Sequence, residues 1–285
     1  LFSHALPVEM RDAVYTWIRQ SGLGVVTRAG GSVHRIFFQS QIFLVFAWLW
    51  YWSRTWKDAL PLSWRTWLGW TALSAAILAS LSRSFWVGLV AAGGMGLLFA
   101  LLYGMPRRSL GSWLVRPIVS GIGGMALLAA LVFLPLFPGG AGLGSALGGR
   151  FSGGEAAASS RSALLPVLRE GIAEHPWLGS GFGATLTYPS SDPRIVQKTG
   201  GMYTTYAFEW GWLDVWYKLG IAGLLALVWV MAWIGSRAFS LPERDRVWVW
   251  TSLVALASIH VFTPYLNHPL GIGTLIYLWI CTEAS

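Results

Sequence analysis

The side chains of this sequence that could act together on a phosphate-containing substrate are arginines and one glutamate. The arginines that could converge on one membrane surface are Arg35, Arg83, Arg150, Arg161 and Arg169. Clustered arginines suit bidentate recognition of phosphate, and a carboxylate beside them, here Glu209, suits proton abstraction. The sequence has neither an aspartate-rich metal motif nor a GxxxxGK nucleotide loop. We therefore expect an energised phosphate substrate delivered in the membrane, with no metal, ATP or other cofactor.

Four further ionisable residues near the same surface are candidates for contacting substrate. Asp214 lies in the first turns of the apolar segment after Glu209, and Lys218 lies at i+4 from it, which permits an intrahelical ion pair. The pair either neutralises itself near the membrane interface or faces a polar cavity and contacts substrate. His260 and His268 lie near the ends of the last two apolar segments, where each is either structural or substrate-binding. Their spacing is not that of a metal site.

Arg83 lies in the turn SRSFW between two apolar segments. A guanidinium stays charged in proteins, so membrane depth is unfavourable for it without an anionic partner. Alternatively, its head extends to the lipid headgroups, as is common for arginines near helix ends. Ser82 and Ser84 flank it as additional hydrogen-bond donors. The motif therefore predicts an anion-binding turn.

A polar stretch over residues 138–210 interrupts the apolar segments, and we expect it to be a long functional loop that contains short helices. Within it, SSRSALLPVLREGIAEH predicts a helix capped by Ser160 or Ser162, with Pro166 in its first turn. The motif HPWLGSGFG is predicted to end this helix, and its glycines permit close approach of the backbone. Without a preceding strand, GSGFG is only a weak signal for phosphate binding.

The same predicted helix has an apolar stripe and two arginines. The stripe consists of Leu164, Leu165, Leu168 and Ile172. Such a stripe is expected to pack against protein or lipid. Arg161 and Arg169 are predicted to lie on a different side of the helix, where they could face a phosphate.

The composition excludes a soluble globular protein. Of 285 residues, 55% are hydrophobic and only 11% are charged, with a mean hydropathy of +0.55, whereas soluble domains carry about 25% charged residues. The 19 tryptophans suit rings at membrane interfaces. The cations behind the net charge of +8 are dispersed along the chain, so we expect membrane lipids and not nucleic acid as partners.

The elements that must position these residues are apolar helices, and the predicted fold class is all-α. We expect a polytopic transmembrane helix bundle of about seven spans with a long extracytoplasmic loop. The predicted spans are 36–52, 67–81, 85–103, 117–137, 211–235, 247–265 and 270–281. Small residues within them, such as Ala75, Gly93, Gly94 and Gly124, permit close helix contacts.

Arginine-rich segments predict the orientation of this bundle. Two predicted spans separate the segment 54–65 from 107–116, and two more separate 107–116 from 237–246, so all three segments lie on the same side of the membrane. The positive-inside rule identifies that side as the cytoplasm. The predicted organisation is an extracytoplasmic or interfacial segment 1–35 with an amphipathic helix, spans 1–4 in 36–137, the extracytoplasmic loop 138–210, and spans 5–7 in 211–285.

Three motifs together resemble the O-antigen ligase and O-antigen polymerase superfamily of multispan membrane glycosyltransferases. They are SRSFWVGL, the pattern R-x₁₃-HPWLGSGFG that Arg161 begins, and E-W-x-x-L-D-x-x-x-K-L-G-I-A-G-L from Glu209 onward. The resemblance implies a metal-independent, multi-pass enzyme of the bacterial inner membrane whose active site faces the periplasm, with further amino-terminal spans. It also implies an undecaprenyl-diphosphate-linked glycan as donor and a saccharide or lipid as acceptor.

The resemblance further implies roles for single residues. Arg83 and Arg161 match the family's arginine positions, which hold the diphosphate, and Glu209 takes the place of the base that activates the acceptor hydroxyl. Ligases of this superfamily usually carry a histidine followed by Asn, Ser or Gln at this point, whereas this chain has Glu209–Trp210. A polymerase or another polysaccharide-linking member is therefore favoured over a lipid A ligase. The candidate substrate-binding residues are Arg35, Arg150, Arg169, Asp214, Lys218, His260 and His268.

Two other function classes fit the same residues. A transporter or flippase of lipid-linked saccharides would use the same basic cavity, and a noncatalytic partner in polysaccharide export needs no reaction at all. Transporters often show repeated halves and interrupted helices near the membrane midplane. No internal repeat is visible in this sequence, which favours an enzyme.

Overall fold

The computed structural model describes residues 8–21, 24–30, 33–57, 63–133, 156–190, 196 and 199–283. These residues are mostly helical, as the predicted fold class requires. The α-helices are Val8–Gln20 (α1), Ile42–Ser53 (α2), Trp64–Ala79 (α3), Arg83–Leu102 (α4), Arg107–Phe133 (α5), Ala156–Glu174 (α6), Gly211–Arg237 (α7), Glu243–Phe262 (α8) and Pro269–Glu283 (α9). The strands are Gly24–Gly30 (β1), Val33–Phe38 (β2), Leu186–Pro189 (β3) and Met202–Thr205 (β4).

Three helices in the described part of the chain are long and apolar enough to cross a membrane. These candidate spans are Arg83–Leu102, Arg107–Ala130 and Gly211–Ser240. The helices α2, α3 and α9 have 12, 16 and 15 residues, which is less than the roughly 17–25 residues that a spanning helix needs. The chain is thus a membrane protein, and the predicted seven spans and long exterior loop stay predictions.

Two antiparallel β-hairpins are additions to the predicted all-α fold. β1 pairs with β2, with an irregularity between Arg28 and Gly30, and β3 pairs with β4. The predicted first span is wrong at its start, because residues 36–38 belong to β2 and the helix begins only at Ile42. The sequence VHRIFF is rich in β-branched and aromatic residues, which favour a strand when a partner strand is present.

The predicted arginine-rich loop at 107–116 is also wrong, because α5 begins at Arg107 and contains Arg116. The helix starts directly after Pro106, whose carbonyl accepts a hydrogen bond from the Leu110 N–H at 2.9 Å. Proline suits this place because its fixed φ is preorganised for a helix start. Only 103–106 connects α4 with α5.

Contacts divide the chain into two compact units, Leu1–Phe151 with Pro242–Ser252, and Ser152–Leu241 with Leu253–Ser285. The first unit has a tryptophan-rich core, in which Trp52 and Trp113 stack with ring centroids 4.2 Å apart. Gly124 of α5 packs on α3, where an added Cβ would lie 2.7 Å from the Ala75 nitrogen. This confirms the predicted close contact at these two residues. Gly93 and Gly94 face open space instead.

Charged residues gather at one end of the first unit. The Lys57 ammonium lies 2.7 Å from the Glu243 carboxylate, and Arg54 pairs with Asp245 at 3.8 Å. The Arg246 guanidinium donates a hydrogen bond to the Tyr103 hydroxyl. Residues from the first and third predicted cytoplasmic loops therefore lie together beside the α4–α5 connection, as expected of segments that face one side of a membrane.

Candidate functional site

The second unit is built around α6, whose apolar stripe forms a core. Leu164, Leu168 and Ile172 are buried and pack with Tyr188, Phe208 and Tyr217. The predicted helix is thus confirmed, and its stripe packs against protein. Its start was predicted wrongly, because it begins at Ala156 and Pro166 lies in its interior. The segment EAAASS explains the earlier start, since alanine is the strongest helix former.

The position of Arg161 follows from this longer helix. Position 161 lies within α6, about one turn before Leu164, and the side chain of Arg161 lies outside the described part of the structure, so its predicted face stays a prediction. Arg169 is exposed whereas Leu164 and Leu168 of the stripe are buried, in line with the different side predicted for this arginine.

The hairpin of β3 and β4 covers the stripe and carries two tyrosines that the sequence interpretation missed. Tyr188 and Tyr203 are cross-strand partners, with ring centroids 5.8 Å apart in an edge-to-face arrangement. On the opposite face, the hydroxyls of Thr187 and Thr204 are hydrogen-bonded at 2.7 Å. The alternation in LTYP and MYTT was the available signal, but strands of only four residues carry it weakly.

Glu209 lies in a cleft of about 280 Å³ at the start of α7. The cleft is lined by Leu164, Tyr188, Tyr203, Thr205, Ala207, Phe208, Glu209 and Pro264. Its walls come from α6, the hairpin and the segment before α7, and Glu209 itself is exposed. A carboxylate among aromatic rings and one threonine is the composition expected of a site that orients a small polar ligand.

α7 is broken at Gly220, which has φ 67° and ψ −171°. This conformation is essentially restricted to glycine. A Cβ at Gly220 would overlap the Trp177 carbonyl, because HPWLGSGFG packs its backbone against the break. A Cβ at Gly179 would likewise overlap the backbone of Lys218 and Leu219. The predicted close backbone approach is therefore confirmed, and its partner is the backbone of α7.

Four hydrogen bonds between backbones join this loop to the break. The Ser180 N–H donates to the Tyr217 carbonyl at 2.8 Å, and the Gly181 N–H donates to the Lys218 carbonyl at 2.9 Å. In return, the N–H groups of Ile221 and Ala222 donate to the Pro176 and Trp177 carbonyls at 2.9 and 3.2 Å. These replace the two helical bonds that the break removes, from 221 to 217 and from 222 to 218. We call this arrangement the backbone interlock.

Asp214 and Lys218 form the predicted ion pair in the first half of α7. The Asp214 Oδ1 lies 2.7 Å from the Lys218 Nζ, and the side chains are 2% and 8% exposed. Asn267 Nδ2 donates to Asp214 Oδ2 at 2.6 Å, and the ammonium lies 5.3 Å from the centre of the Phe208 ring. Phe208 also lines the Glu209 cleft, so the pair lies behind the cleft wall. Its contact with substrate stays a prediction.

The two histidines make contacts that organise the turn between α8 and α9. Leu270 N–H donates to His268 Nδ1 at 3.3 Å, which caps the first turn of α9. His260 is fully buried, and its Nδ1 accepts the Leu266 N–H at 3.2 Å. Gly211 packs directly on His260, where a Cβ would lie 2.6 Å from Nδ1. These contacts explain both residues structurally, and substrate binding by either stays a prediction.

Arg83 is the first residue of α4 and is half-buried. The preceding turn is held by Ser80, whose Oγ donates to the Ile77 carbonyl at 2.6 Å and accepts the Ser82 N–H at 3.2 Å. The hydroxyls of Ser82 and Ser84 are buried and hydrogen-bonded to each other at 3.0 Å. Helix electrostatics disfavour a cation at an N-terminus, so the helix itself gives no reason for an arginine here.

The remaining candidates lie elsewhere in the chain. Arg35 lies in β2, opposite Thr27, and Arg150 lies outside the described residues, as does the glycine-rich run 139–154. Arg35 and Arg83 belong to the first unit, whereas Arg161, Arg169 and Glu209 belong to the second. The predicted convergence of these side chains on one site stays a prediction.

Comparison with known proteins gives one match. The family model described as O-Antigen ligase matches residues 68–228, more than half of the chain. The matched region contains Arg83, Arg161, Glu209 and the backbone interlock. Among curated proteins and among solved structures, none matches this chain.

Proposed function

The chain belongs to the O-antigen ligase family, and on that premise we propose that it is a metal-independent glycosyltransferase that acts at the extracytoplasmic face of the bacterial inner membrane. Its donor is an undecaprenyl-diphosphate-linked glycan, and its acceptor is a saccharide or a lipid. The observation that carries this proposal is the cleft in which Glu209 stands among Tyr188, Tyr203 and Phe208. It opens directly before α7, a candidate membrane span.

In the proposed reaction, Glu209 accepts the proton of an acceptor hydroxyl. The hydroxyl oxygen forms a bond to the anomeric carbon of the donor glycan, and the bond between that carbon and the diphosphate oxygen breaks. The electron pair of this bond leaves with the lipid diphosphate, and Glu209 later releases the proton to solvent. A single displacement of this kind inverts the configuration at the anomeric carbon.

The tyrosines of the cleft supply the binding surface for sugars. Tyr188 is buried and fixed by its partner strand, while Tyr203 is partly exposed at the rim. Rigid aromatic rings give a large contact area, and a tyrosine hydroxyl adds a polar handle. Thr205 adds a hydroxyl beside Glu209 in the same cleft. This combination supports a saccharide as the ligand.

Arg83 and Arg161 stabilise the charge that develops on the departing diphosphate. Position 161 is supported by its place one turn before Leu164, which lines the cleft. For Arg83, the support is the topology predicted from the arginine-rich segments, which are all assigned to the cytoplasm. This topology places the start of α4, where Arg83 lies, and the start of α7 on the extracytoplasmic side. Preorganised donors at a developing charge each contribute roughly 10²–10³ in kcat.

The break in α7 allows the transporter alternative to be weighed. Transporters with interrupted helices use the freed carbonyls to coordinate ions or substrate. Here the carbonyls of Tyr217 and Lys218 already accept hydrogen bonds from Ser180 and Gly181. The interlock therefore supports an architectural role for the break, and with it an enzyme. The pair Glu209–Trp210 supports a polymerase or another polysaccharide-linking member.

The test is transfer by the purified protein in nanodiscs, supplied with a lipid-diphosphate-linked oligosaccharide and an acceptor. Released lipid diphosphate and product length on gels are the measurements, and conversion of the donor separates an enzyme from a transporter or an export partner. We expect Glu209→Gln, Arg161→Ala and Arg83→Lys each to lower the rate about a hundredfold or more. Arg83→Lys keeps the charge and loses the planar fork.

The matched control is Glu170→Gln, which changes an exposed carboxylate on α6 away from the cleft. It is expected to keep wild-type transfer. Normal product from all three site variants at normal expression would end the proposal.

A further inference from the structure

The loop that follows α6 exposes three large apolar side chains within six residues. Trp177, Leu178 and Phe182 have exposed fractions of 72%, 80% and 63%. Single exposed apolar residues are ordinary, but a contiguous group marks an interaction surface or a membrane contact. We call these three side chains the loop tip.

The backbone interlock fixes the height of the loop tip along α7. The Trp177 carbonyl accepts the Ala222 N–H, and its backbone lies directly against Gly220. Gly220 precedes Arg237 by about 17 residues, or roughly 25 Å of helix. Arg237 forms an exposed ion pair with Glu283, which marks the polar end of the span. Since the hydrocarbon core is about 30 Å thick, a bilayer whose one boundary lies near Arg237 would have its other boundary near the level of the loop tip.

The surroundings of the loop tip change character at this level. Beyond the break, α7 exposes Leu225, Val228 and Trp229, as a lipid-facing helix does. Phe182 also lines an apolar cavity of about 360 Å³ between α7 and α9, together with residues such as Leu219 and Ile272. Before the break lie the buried Asp214–Lys218 pair and the Glu209 cleft. The loop tip therefore continues the apolar surface of the span at its upper limit.

We propose that the loop tip is an interfacial membrane anchor. Trp177, Leu178 and Phe182 insert into the boundary between headgroups and acyl chains, in the leaflet on whose side the Glu209 cleft opens. Tryptophan prefers this boundary. Irregular backbone is tolerated at membrane depth only where its polar groups are satisfied by protein, and the interlock satisfies four of them. The partner of this surface is the lipid bilayer, whatever reaction the cleft performs.

The experiment places a fluorescent thiol label at the loop tip. Cys281 is the single cysteine, so Cys281→Ser gives a background for Leu178→Cys, labelled in nanodiscs of phosphatidylcholine and phosphatidylglycerol. Nitroxide lipids labelled near the headgroup quench from the bilayer, and iodide quenches from water. Leu225→Cys is the lipid-facing reference, and Glu170→Cys on α6 is the water-facing reference.

We expect the label at 178 to be quenched by nitroxide lipids at least half as strongly as the label at 225, and to be several-fold less sensitive to iodide than the label at 170. A label at 178 that behaves like that at 170 would overturn the proposal. Protection from both quenchers would also overturn it, because protein would then cover the loop tip. The readout needs no transfer activity, so its outcome is independent of the proposed reaction.

Discussion

Replacing Gly220 by alanine tests the backbone interlock most directly. The residue has φ 67° and ψ −171°, and a Cβ there would overlap the Trp177 carbonyl. The variant must therefore strain its backbone and also displace the loop from α7. Gly220→Ala is expected to open the interlock without unfolding the spans, because the helical turns on either side keep their own hydrogen bonds.

The expected magnitude follows from these two effects. Backbone strain of this kind costs about 1–3 kcal/mol, and each of the four hydrogen bonds contributes about 0.5–1.5 kcal/mol net. Mild strain of about 1 kcal/mol together with two broken bonds of about 1 kcal/mol each gives roughly 3 kcal/mol of local destabilisation. Since each 1.4 kcal/mol is a factor of about ten, the amides of the interlock should exchange roughly a hundredfold faster.

The assay is hydrogen–deuterium exchange of the protein in nanodiscs, followed on peptides that cover residues 175–183 and 214–224. Gly183→Ala is the matched control, because a Cβ there meets nothing within 4 Å. Gly181→Ala adds only strain, since its φ is 91° but its surroundings are open. The expected order of exchange is Gly220→Ala fastest, then Gly181→Ala, then Gly183→Ala. Equal protection in Gly220→Ala and Gly183→Ala would refute the interlock.

Two further predictions concern ion pairs. Asp214→Asn leaves the buried Lys218 ammonium without its partner and should lower the free energy of unfolding by about 3–5 kcal/mol, measured by thermal unfolding. The double variant Asp214→Asn with Lys218→Met removes the unpaired charge and should recover part of this loss. Equal losses in the single and the double variant would contradict the reasoning. Lys57 and Trp56 donate to the Glu243 carboxylate and lower its pKa from the ordinary 4.5. The ionised carboxylate therefore stabilises the fold above pH 4.5, and this stabilisation is lost as the pH falls through the lowered pKa of the folded protein. The unfolding-temperature difference between wild type and Glu243→Gln should therefore shrink on acidification, and a difference independent of pH would count against it.

Features set by local sequence were predictable. The candidate span at α7 follows from hydropathy, and the Asp214–Lys218 pair follows from i+4 spacing, which the structure confirms at 2.7 Å. The helix around Leu164 and Leu168 follows from its apolar periodicity. In each case the residues that decide the structure lie within a few turns of one another.

Features that depend on distant partners were not predictable in the same way. The stretch KLGIAG reads as continuous helix, because a single glycine is tolerated in a helix, and the break at Gly220 exists only because HPWLGSGFG supplies the missing hydrogen bonds. The cleft was only partly foreseen. Glu209 was identified, whereas Tyr188 and Tyr203 needed the pairing of two four-residue strands to meet.

The backbone interlock also has a mechanical consequence. It ties the loop after α6 to α7 through peptide groups. α6 carries Leu164, which lines one wall of the cleft, and α7 begins directly after the segment that carries Glu209, which lines the other wall. Because its hydrogen bonds hold Tyr217 and Lys218 before Gly220 and Ile221 and Ala222 after it, the interlock braces the break on both sides, and the loop holds the two portions of α7 in one fixed arrangement.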